Sequence, residues 1–102
     1  MKQFIYAYHG GMEGKSEVEC AIHMAKWHAW VESLGQALIQ PGTPVSKSKT
    51  VSSMGVTNDG GPNPLSGYSI VQAESFDQAV EMAKSCPHIE FGTMEVAELL
   101  QM

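Results

Sequence analysis

The sequence contains no arginine. All six of its basic residues are lysines, and eleven acidic residues give the 102-residue chain a formal net charge of -5. Arginine has the planar guanidinium that proteins prefer for holding phosphate and carboxylate groups, and nucleic-acid-binding domains carry clustered positive charge. The composition therefore predicts that the chain has no nucleic-acid partner.

Cysteine is also scarce. The two cysteines, Cys20 and Cys86, form no CxxC motif, so the sequence does not support a zinc site, a redox motif or a disulfide scaffold. Both fall within predicted helices, and we expect reduced thiols. Cys86 precedes Pro87 at a helix end and is interpreted as a small buried hydrophobic residue rather than a nucleophile. The sequence also lacks a nucleophile elbow and a glycine-rich phosphate loop, so we predict neither a metal nor a cofactor.

Long hydrophobic runs are absent, and no segment approaches the length that crosses a membrane. Met1 and Lys2 lead directly into a predicted core strand, without the apolar region or cleavage site of a secretory signal. These features predict a cytoplasmic protein with no membrane partner. An apolar fraction of 43% is typical of a globular protein, and the length suits one domain, residues 1–102, with a two-layer core.

The first third of the chain predicts a strand followed by a long helix. Residues 3–9 are rich in aromatic and apolar side chains on both faces of a strand. Ser16 with Glu19 three positions later is the signature of a capping box, which begins a helix. The helix should continue to about Leu34, because Gly35 is suited to the left-handed conformation that ends helices.

The middle of the chain predicts short strands and turns. Residues 36–40 are expected to form a short second strand and residues 51–57 a third. Residues 58–64 contain a cluster of Asn, Asp, Gly and Pro, which is typical of a turn. The turn leads into a strand over residues 65–73, so we expect a hairpin between residues 51–57 and 65–73.

The last third predicts a second helix and a final strand. Ser75 with Gln78 repeats the capping-box spacing, and the helix should end near Cys86. Residues 93–99 then close the sheet. The order is strand, helix, two or three strands, helix, strand, which is typical of an α+β ferredoxin-like sandwich: an antiparallel sheet with two helices on one face.

Apolar side chains occur on both faces of the predicted strands, at Tyr6, Tyr8, Tyr68, Ile70 and Val71. Two helices can cover only one face, so we infer that a second copy of the chain covers the other. We therefore predict a homodimer. The wide apolar surface of the first helix leaves open a further association into a higher oligomer.

Short motifs spread over nearly the whole chain resemble those of a known family. They are Phe4-Ile5-Tyr6-Ala7-Tyr8, residues 27–35 followed by Gly42, Gly67-Tyr68-Ser69-Ile70-Val71, and Ala79, Pro87 and Glu95-Val96. In these motifs the chain resembles the YCII-related family, including its DGPF-type branch. The resemblance implies a small ferredoxin-like protein that forms a dimeric α/β barrel. The family is similar in architecture to small dimeric isomerases, lyases and cofactor-free oxygenases, and most of its members have no assigned activity.

The resemblance also points to one histidine. In part of the family, a histidine on the first helix and an aspartate on the following strand are thought to form an acid/base pair. His23 resembles the helix histidine, but residues 36–46 contain no aspartate. The nearest replacements for that carboxylate are Glu32 and Asp59.

The four histidines are candidate acids and bases, because histidine ordinarily titrates near neutral pH. His9 ends a predicted inner strand just before Gly10, and strand ends at a barrel mouth often hold small-molecule sites. His9 is therefore a candidate general base, with a half-buried strand-end residue as the alternative. His88 follows Pro87 in a predicted connecting loop, where we expect it to be exposed to solvent.

His23 and His28 lie five positions apart on the predicted first helix, so they point about 140° away from each other. They cannot form a joint metal site, and at most one of them faces a pocket. His28 is flanked by Trp27 and Trp30. The two indoles can wall an aromatic ligand or pack in a core or dimer interface, as tryptophans at this spacing more often do.

Two tyrosines are further candidates. Tyr8 and Tyr68 can present their hydroxyl groups to a bound carbonyl or phenol. They can equally pack their rings across neighbouring strands with the hydroxyl at the rim, and we favour this second interpretation.

Two functions of different classes remain open. In the first, the chain is a binding or assembly module for a small aromatic or cyclic metabolite and performs no chemistry. In the second, it is a cofactor-independent enzyme of lyase or isomerase type in which His9 or His28 acts as general base. Tyr68 or Asp59 then orients the substrate. The candidate catalytic residues are His9, His28 and Asp59, and the candidate ligand-binding residues are His23, Trp27 and Tyr68.

Overall fold

The described part of the chain folds into six strands and two α-helices. The computed structural model describes residues 1–10, 16–61 and 63–100. In chain order the elements are β1 (Lys2–Gly10), α1 (Glu17–Leu34), β2 (Leu38–Pro44), β3 (Thr50–Ser52), β4 (Gly55–Thr57), β5 (Leu65–Ala73), α2 (Phe76–Lys84) and β6 (Gly92–Glu98). One-turn 3-10 helices, Gly35–Ala37 and Pro87–Glu90, follow α1 and α2.

Four strands form the main sheet, in the order β2-β5-β1-β6 with every neighbouring pair antiparallel. The central pair is β1 and β5, whose register runs from Lys2 opposite Ala73 to Tyr8 opposite Gly67. This strand order, with one helix after the first strand and one before the last, is the ferredoxin-like arrangement. The predicted fold class is confirmed.

The core lies between the two helices and one face of the sheet. Alternation along β1 places Phe4, Tyr6 and Tyr8 on that face, and all three are buried. Trp30 of α1 packs against the ring of Tyr6, with 6.1 Å between ring centroids. The remaining buried hydrophobic residues are Val71, Ala73, Ala79, Ala83 and Cys86.

The opposite face of the sheet carries the alternate residues of the central strands. Ile5 lies opposite Ile70, and Ala7 lies opposite Tyr68. All four are half-buried. Since α1 and α2 both pack on the other face, this open face, defined by Ile5, Ala7, Tyr68 and Ile70, keeps a band of apolar side chains.

The predicted capping box of α1 is confirmed. The Ser16 hydroxyl accepts a hydrogen bond from the Glu19 backbone N–H at 3.1 Å, and the Glu19 carboxylate accepts one from the Ser16 N–H at 3.4 Å. The helix ends at Leu34, as predicted, and Gly35 follows with a φ of 53°.

The start of α2 differs from the prediction in one bond. The Ser75 hydroxyl accepts from the Gln78 N–H at 3.1 Å, as expected. The Gln78 side chain, however, accepts from the N–H of Glu74 at 2.7 Å, one residue before the cap. The helix ends at Lys84, so Cys86 lies just beyond it.

The predicted hairpin between residues 51–57 and 65–73 is wrong. Residues 50–57 instead fold back on themselves, and β3 pairs with β4 from Thr50–Thr57 to Ser52–Gly55. Gly55, with a φ of 127°, permits the tight turn that splits the predicted strand in two. β5 already has β1 on one edge and β2 on the other, so no third strand can pair with it. Pro62, in the predicted turn, lies outside the described residues.

The second strand is longer than predicted. β2 extends to Pro44 and includes Pro41, a residue that cannot donate a ladder hydrogen bond. The register of β2 on β5 shifts between Gln40 and Thr43, and this irregularity accommodates the proline. The extension brings Gly42 and Thr43 alongside α1.

We expect the substitution Ser16→Ala to lower the free energy of unfolding by about 1 kcal/mol, because it leaves the Glu19 N–H without its cap. Chemical denaturation followed by circular dichroism measures the change. Ser53→Ala, in the exposed turn between β3 and β4, is the matched control and should be neutral. Equal effects of the two substitutions would contradict the capping role.

Candidate functional site

A cavity of about 260 Å3 opens between α1 and the strands β1, β2 and β5. Residues of α1 form one wall and strand residues form the opposite wall. The cavity-lining residues are Tyr8, His23, Met24, Trp27, Gly42, Thr43, Pro44, Ser66, Gly67 and His88.

Two glycines allow the walls of this cavity to approach each other. A Cβ atom on Gly42 would lie 3.0 Å from Cζ2 of Trp27, so the absence of a side chain lets the indole rest against β2. A Cβ atom on Gly67 would lie 2.8 Å from the carbonyl oxygen of Thr43. The two positions therefore fix how closely α1, β2 and β5 pack around the cavity.

His23 is the most unusual polar residue of the site. Its Nδ1 atom is buried and has no hydrogen-bond partner among the described residues. The ring packs against Phe91, with 5.1 Å between centroids, and against Trp27 one helical turn later, at 6.1 Å. A buried polar atom normally has a hydrogen-bond partner, so this nitrogen is an exception among the described residues.

The surroundings of His23 favour its neutral form. Burial is the main cause that lowers the pKa of the ring below the usual value of 6.5, and the nearby His88 and Lys26 act in the same direction. The Glu90 carboxylate opposes them, but Glu90 is paired with Lys26 at 3.1 Å. At neutral pH the imidazole of His23 can therefore accept a proton or a hydrogen bond.

His88 lies in the cavity wall, so the expectation that it is exposed to solvent is wrong: only 8% of the residue is accessible. Its Nε2 atom is 2.9 Å from the carbonyl oxygen of His9 and must donate to it, because a carbonyl only accepts. Gly92 makes this contact possible, since a Cβ atom there would lie 2.8 Å from Nε2. The 3-10 turn that begins at Pro87 aims the ring inward.

Tyr8 contributes a ring that faces both tryptophan and histidine. It lies edge-on to Trp27 at 5.3 Å and is tilted against His88 at 5.0 Å. Its hydroxyl shares a 2.6 Å hydrogen bond with Ser69, which is fully buried. Burial raises the pKa of Tyr8 well above its usual value, so the hydroxyl stays neutral.

Cys86 is buried beneath the site, in agreement with its predicted packing role. Burial raises the pKa of its thiol to about 12, against a smaller opposing effect of a hydrogen bond from the His88 backbone. A thiol that stays protonated at neutral pH is a poor nucleophile. Cys86 therefore supports the site through packing.

The structure brings together two of the six predicted site residues. His23 and Trp27 line the cavity. Tyr68 lies on the open face, because it is offset by one residue from Gly67 of the cavity wall. His9 is on the same face as Tyr68, where its Nδ1 atom donates to the Asn63 carbonyl at 3.0 Å.

The other two candidates also lie away from the cavity. His28 is exposed on α1, on a side that the five-residue offset turns away from His23. Asp59 lies in the loop after β4, where its carboxylate accepts from the Gly61 N–H at 3.2 Å. Asp59 and Lys47 border a wider groove of about 840 Å3, which adjoins the cavity at Ser66 and His88.

Sequence reasoning missed the placement of His88 and underrated Tyr8. The alternation along β1 places Tyr8 on the covered face with Phe4 and Tyr6, and this pattern was sufficient to find it. No such pattern in the sequence indicates the position of His88, because that position depends on a contact with β1, which is distant in the chain.

No group of three or more His, Cys, Asp or Glu residues in the described ranges is arranged to hold a metal ion. None of the described helices is long and apolar enough to cross a membrane.

Comparison with solved structures finds a likeness of fold between this chain and an enzyme. No family model matches the chain, and no curated protein sequence matches it. Among solved structures, it is similar to 5-chloro-2-hydroxyhydroquinone dehydrochlorinase (TftG) from Burkholderia phenoliruptrix AC1100, in complex with 2,5-dihydroxybenzoquinone. The match covers 98% of this chain and 95% of the other, with a TM-score of 0.62 and 18% sequence identity. At this identity the likeness establishes a shared ferredoxin-like fold.

Proposed function

We propose that this chain binds a small aromatic or cyclic metabolite in the cavity between α1 and the sheet. The observation that carries the proposal is the buried, unpartnered Nδ1 atom of His23 in a residue of the cavity wall. This atom is shielded from solvent, so a ligand hydroxyl group supplies the missing hydrogen bond when the imidazole ring turns the nitrogen toward the cavity. The rings of Trp27 and Tyr8 offer apolar surface to a flat ligand. The quinone bound by TftG, a protein of the same fold, supports a ligand of this shape.

A second candidate function is a cofactor-independent lyase or isomerase in which His23 is the general base. The lowered pKa of His23 favours this role, because the neutral imidazole is ready to accept a proton at neutral pH. His23 takes the place of His9 and His28, which lie outside the cavity. The dehydrochlorinase activity named for TftG supports chemistry on a ring substrate in this fold.

The proposed setting is a cytoplasmic homodimer of the YCII-related type. The open face presents Ile5, Ala7, Tyr68 and Ile70 in adjacent cross-strand pairs. Burial of such a band against its counterpart in a second copy would remove apolar surface from water and close the two sheets into an α/β barrel. The cavity lies on the helix-covered side of the same strands, so dimerisation leaves its lining intact.

The binding proposal predicts that resorcinol, an uncharged ring with two hydroxyl groups, perturbs the NMR signals of Trp27 and Gly67 in a concentration-dependent way. His23→Phe keeps an aromatic ring but removes the nitrogen acceptor, and it should weaken binding about tenfold. His28→Phe, on the exposed side of the same helix, is the control and should leave the affinity unchanged. Perturbations confined to the open face would contradict the assignment of the site.

The affinity for resorcinol should depend on pH through His23. Protonation replaces the accepting lone pair of the ring with an N–H, so binding weakens as pH falls through the folded-state pKa. Because that pKa is lowered from 6.5, affinity should stay constant from about pH 8 to about pH 6.5 and fall only in more acidic solution. NMR titration of the His23 ring and the dissociation constant measured at each pH test this expectation. Titration of His23 above its usual value would contradict it.

The dimer proposal predicts a single species of twice the chain mass in sedimentation at micromolar concentration. Ile70→Lys places a charge in the middle of the open face and should shift the protein toward monomer. Val18→Lys, at an exposed position of α1, is the matched control and should not. A monomeric unmodified protein at this concentration would remove the proposal.

A further inference from the structure

None of the ten described residues that line the cavity is a lysine, aspartate or glutamate, and the sequence has no arginine. Lys26 of α1 and Glu90 of the turn after α2 pair with each other at 3.1 Å and border a small groove that His23 also lines. Lys47, Lys49 and Asp59 border the wider groove that adjoins the cavity at Ser66 and His88. A carboxylate, phosphate or ammonium group in this cavity would therefore lose water without gaining a counter-charge from a described lining residue.

Two titratable groups of the wall, His23 and Tyr8, do not supply the missing charge at neutral pH. Burial lowers the pKa of His23, which keeps its ring neutral. Burial raises the pKa of Tyr8, which keeps its hydroxyl protonated and bonded to Ser69. An anionic ligand thus finds no imidazolium at His23, and a cationic ligand finds no phenolate at Tyr8.

Three polar side chains of the wall donate their protons to the backbone. Ser66 donates to the Tyr8 carbonyl at 3.0 Å, and Thr43 donates to a carbonyl of β2 at 3.3 Å. His88 donates through Nε2 to the His9 carbonyl at 2.9 Å, so in the neutral tautomer with this bond the lone pair lies on Nδ1. The hydroxyl oxygens of Ser66 and Thr43 are left with acceptor capacity, although Thr43 already accepts from the Gln40 side chain at 3.1 Å. The polar side chains of the cavity wall therefore offer a ligand mainly hydrogen-bond acceptors.

We propose that the cavity selects an uncharged ring that donates hydrogen bonds through hydroxyl groups, a phenol or an enol, and discriminates against carboxylates, phosphates and amines of similar size. This inference rests on the proposed binding function and names its ligand class. A phenolic oxygen can donate to a nitrogen of His23 or His88 and can also accept from the indole N–H of Trp27. A carboxylate can only accept, so it would leave the lone pairs of the wall unpaired.

Four probes of similar size test the selection: phenol, anisole, benzoate and benzylammonium. Their dissociation constants are measured at neutral pH by NMR titration, with the signals of Trp27 and Gly67 as reporters of the cavity. We expect phenol to bind about tenfold more tightly than each of the others, because only phenol is both neutral and a hydroxyl donor. Anisole is a neutral ring of similar shape without a hydroxyl donor, so its affinity shows how much of the binding of phenol depends on the donated hydrogen bond.

The outcomes separate this inference from the function on which it rests. Binding of benzoate, benzylammonium or anisole to the cavity as tightly as phenol would overturn the selection and leave the binding function standing. Failure of all four probes to perturb the cavity signals would overturn the binding function together with the selection.

A gain of affinity provides an independent test. Met24 borders the cavity from a half-exposed position on α1, so Met24→Lys can add a cation at its rim without filling the core. We expect this variant to bind benzoate about threefold to tenfold more tightly than the unmodified chain. His28→Lys adds the same charge on the exposed side of α1 and is the control. Equal gains in the two variants, or none in Met24→Lys, would contradict the view that the cavity rejects anions for want of a counter-charge.

Discussion

Two hydrogen bonds to the backbone of α2 hold the layers of this protein together. Tyr6, from the middle of β1, donates its hydroxyl to the Ala79 carbonyl at 2.6 Å, and Trp30, from α1, donates its indole N–H to the Met82 carbonyl at 3.0 Å. Both rings are buried and pack against each other. Each ring contributes apolar area, and its polar tip also has a partner, so burial leaves no unsatisfied donor. The contacts hold both helices on one face of the sheet, and the position of the cavity depends on that placement.

The cavity is a consequence of where α1 lies. With Trp30 anchored in the core, Trp27 and His23 follow at successive turns toward one end of the helix and face the ends of the strands. The strands approach α1 closely there because Gly42 and Gly67 have no side chains. The space is small and mostly apolar. A buried histidine nitrogen without a hydrogen-bond partner costs stability.

Sequence reasoning predicted the local elements well and the meeting of distant residues poorly. The cap at Ser16 and the stop at Gly35 are confirmed, because each depends on residues a few positions apart. The pairing of residues 51–57 with β5 was wrong, since strand pairing depends on which edges other strands already occupy. The three residues first considered for catalysis lie on the open face, on the outer side of α1 and in a loop. Their residue types suit acid/base chemistry, but their spacing in the sequence does not show whether they lie close together in the fold.

The sequence by itself determined the elements, their caps and the ferredoxin-like order, because hydrophobic periodicity and turn chemistry act over a few residues. It also determined the absence of arginine, which leaves the chain without a guanidinium group anywhere. Only the tertiary structure decided which histidines reach the cavity. His88 enters it because Gly92 lets its ring reach the backbone of β1, and His23 is left unpartnered because no described polar group packs against its Nδ1 atom. Contacts between such distant positions arise from the packing of whole layers, which no short stretch of sequence encodes.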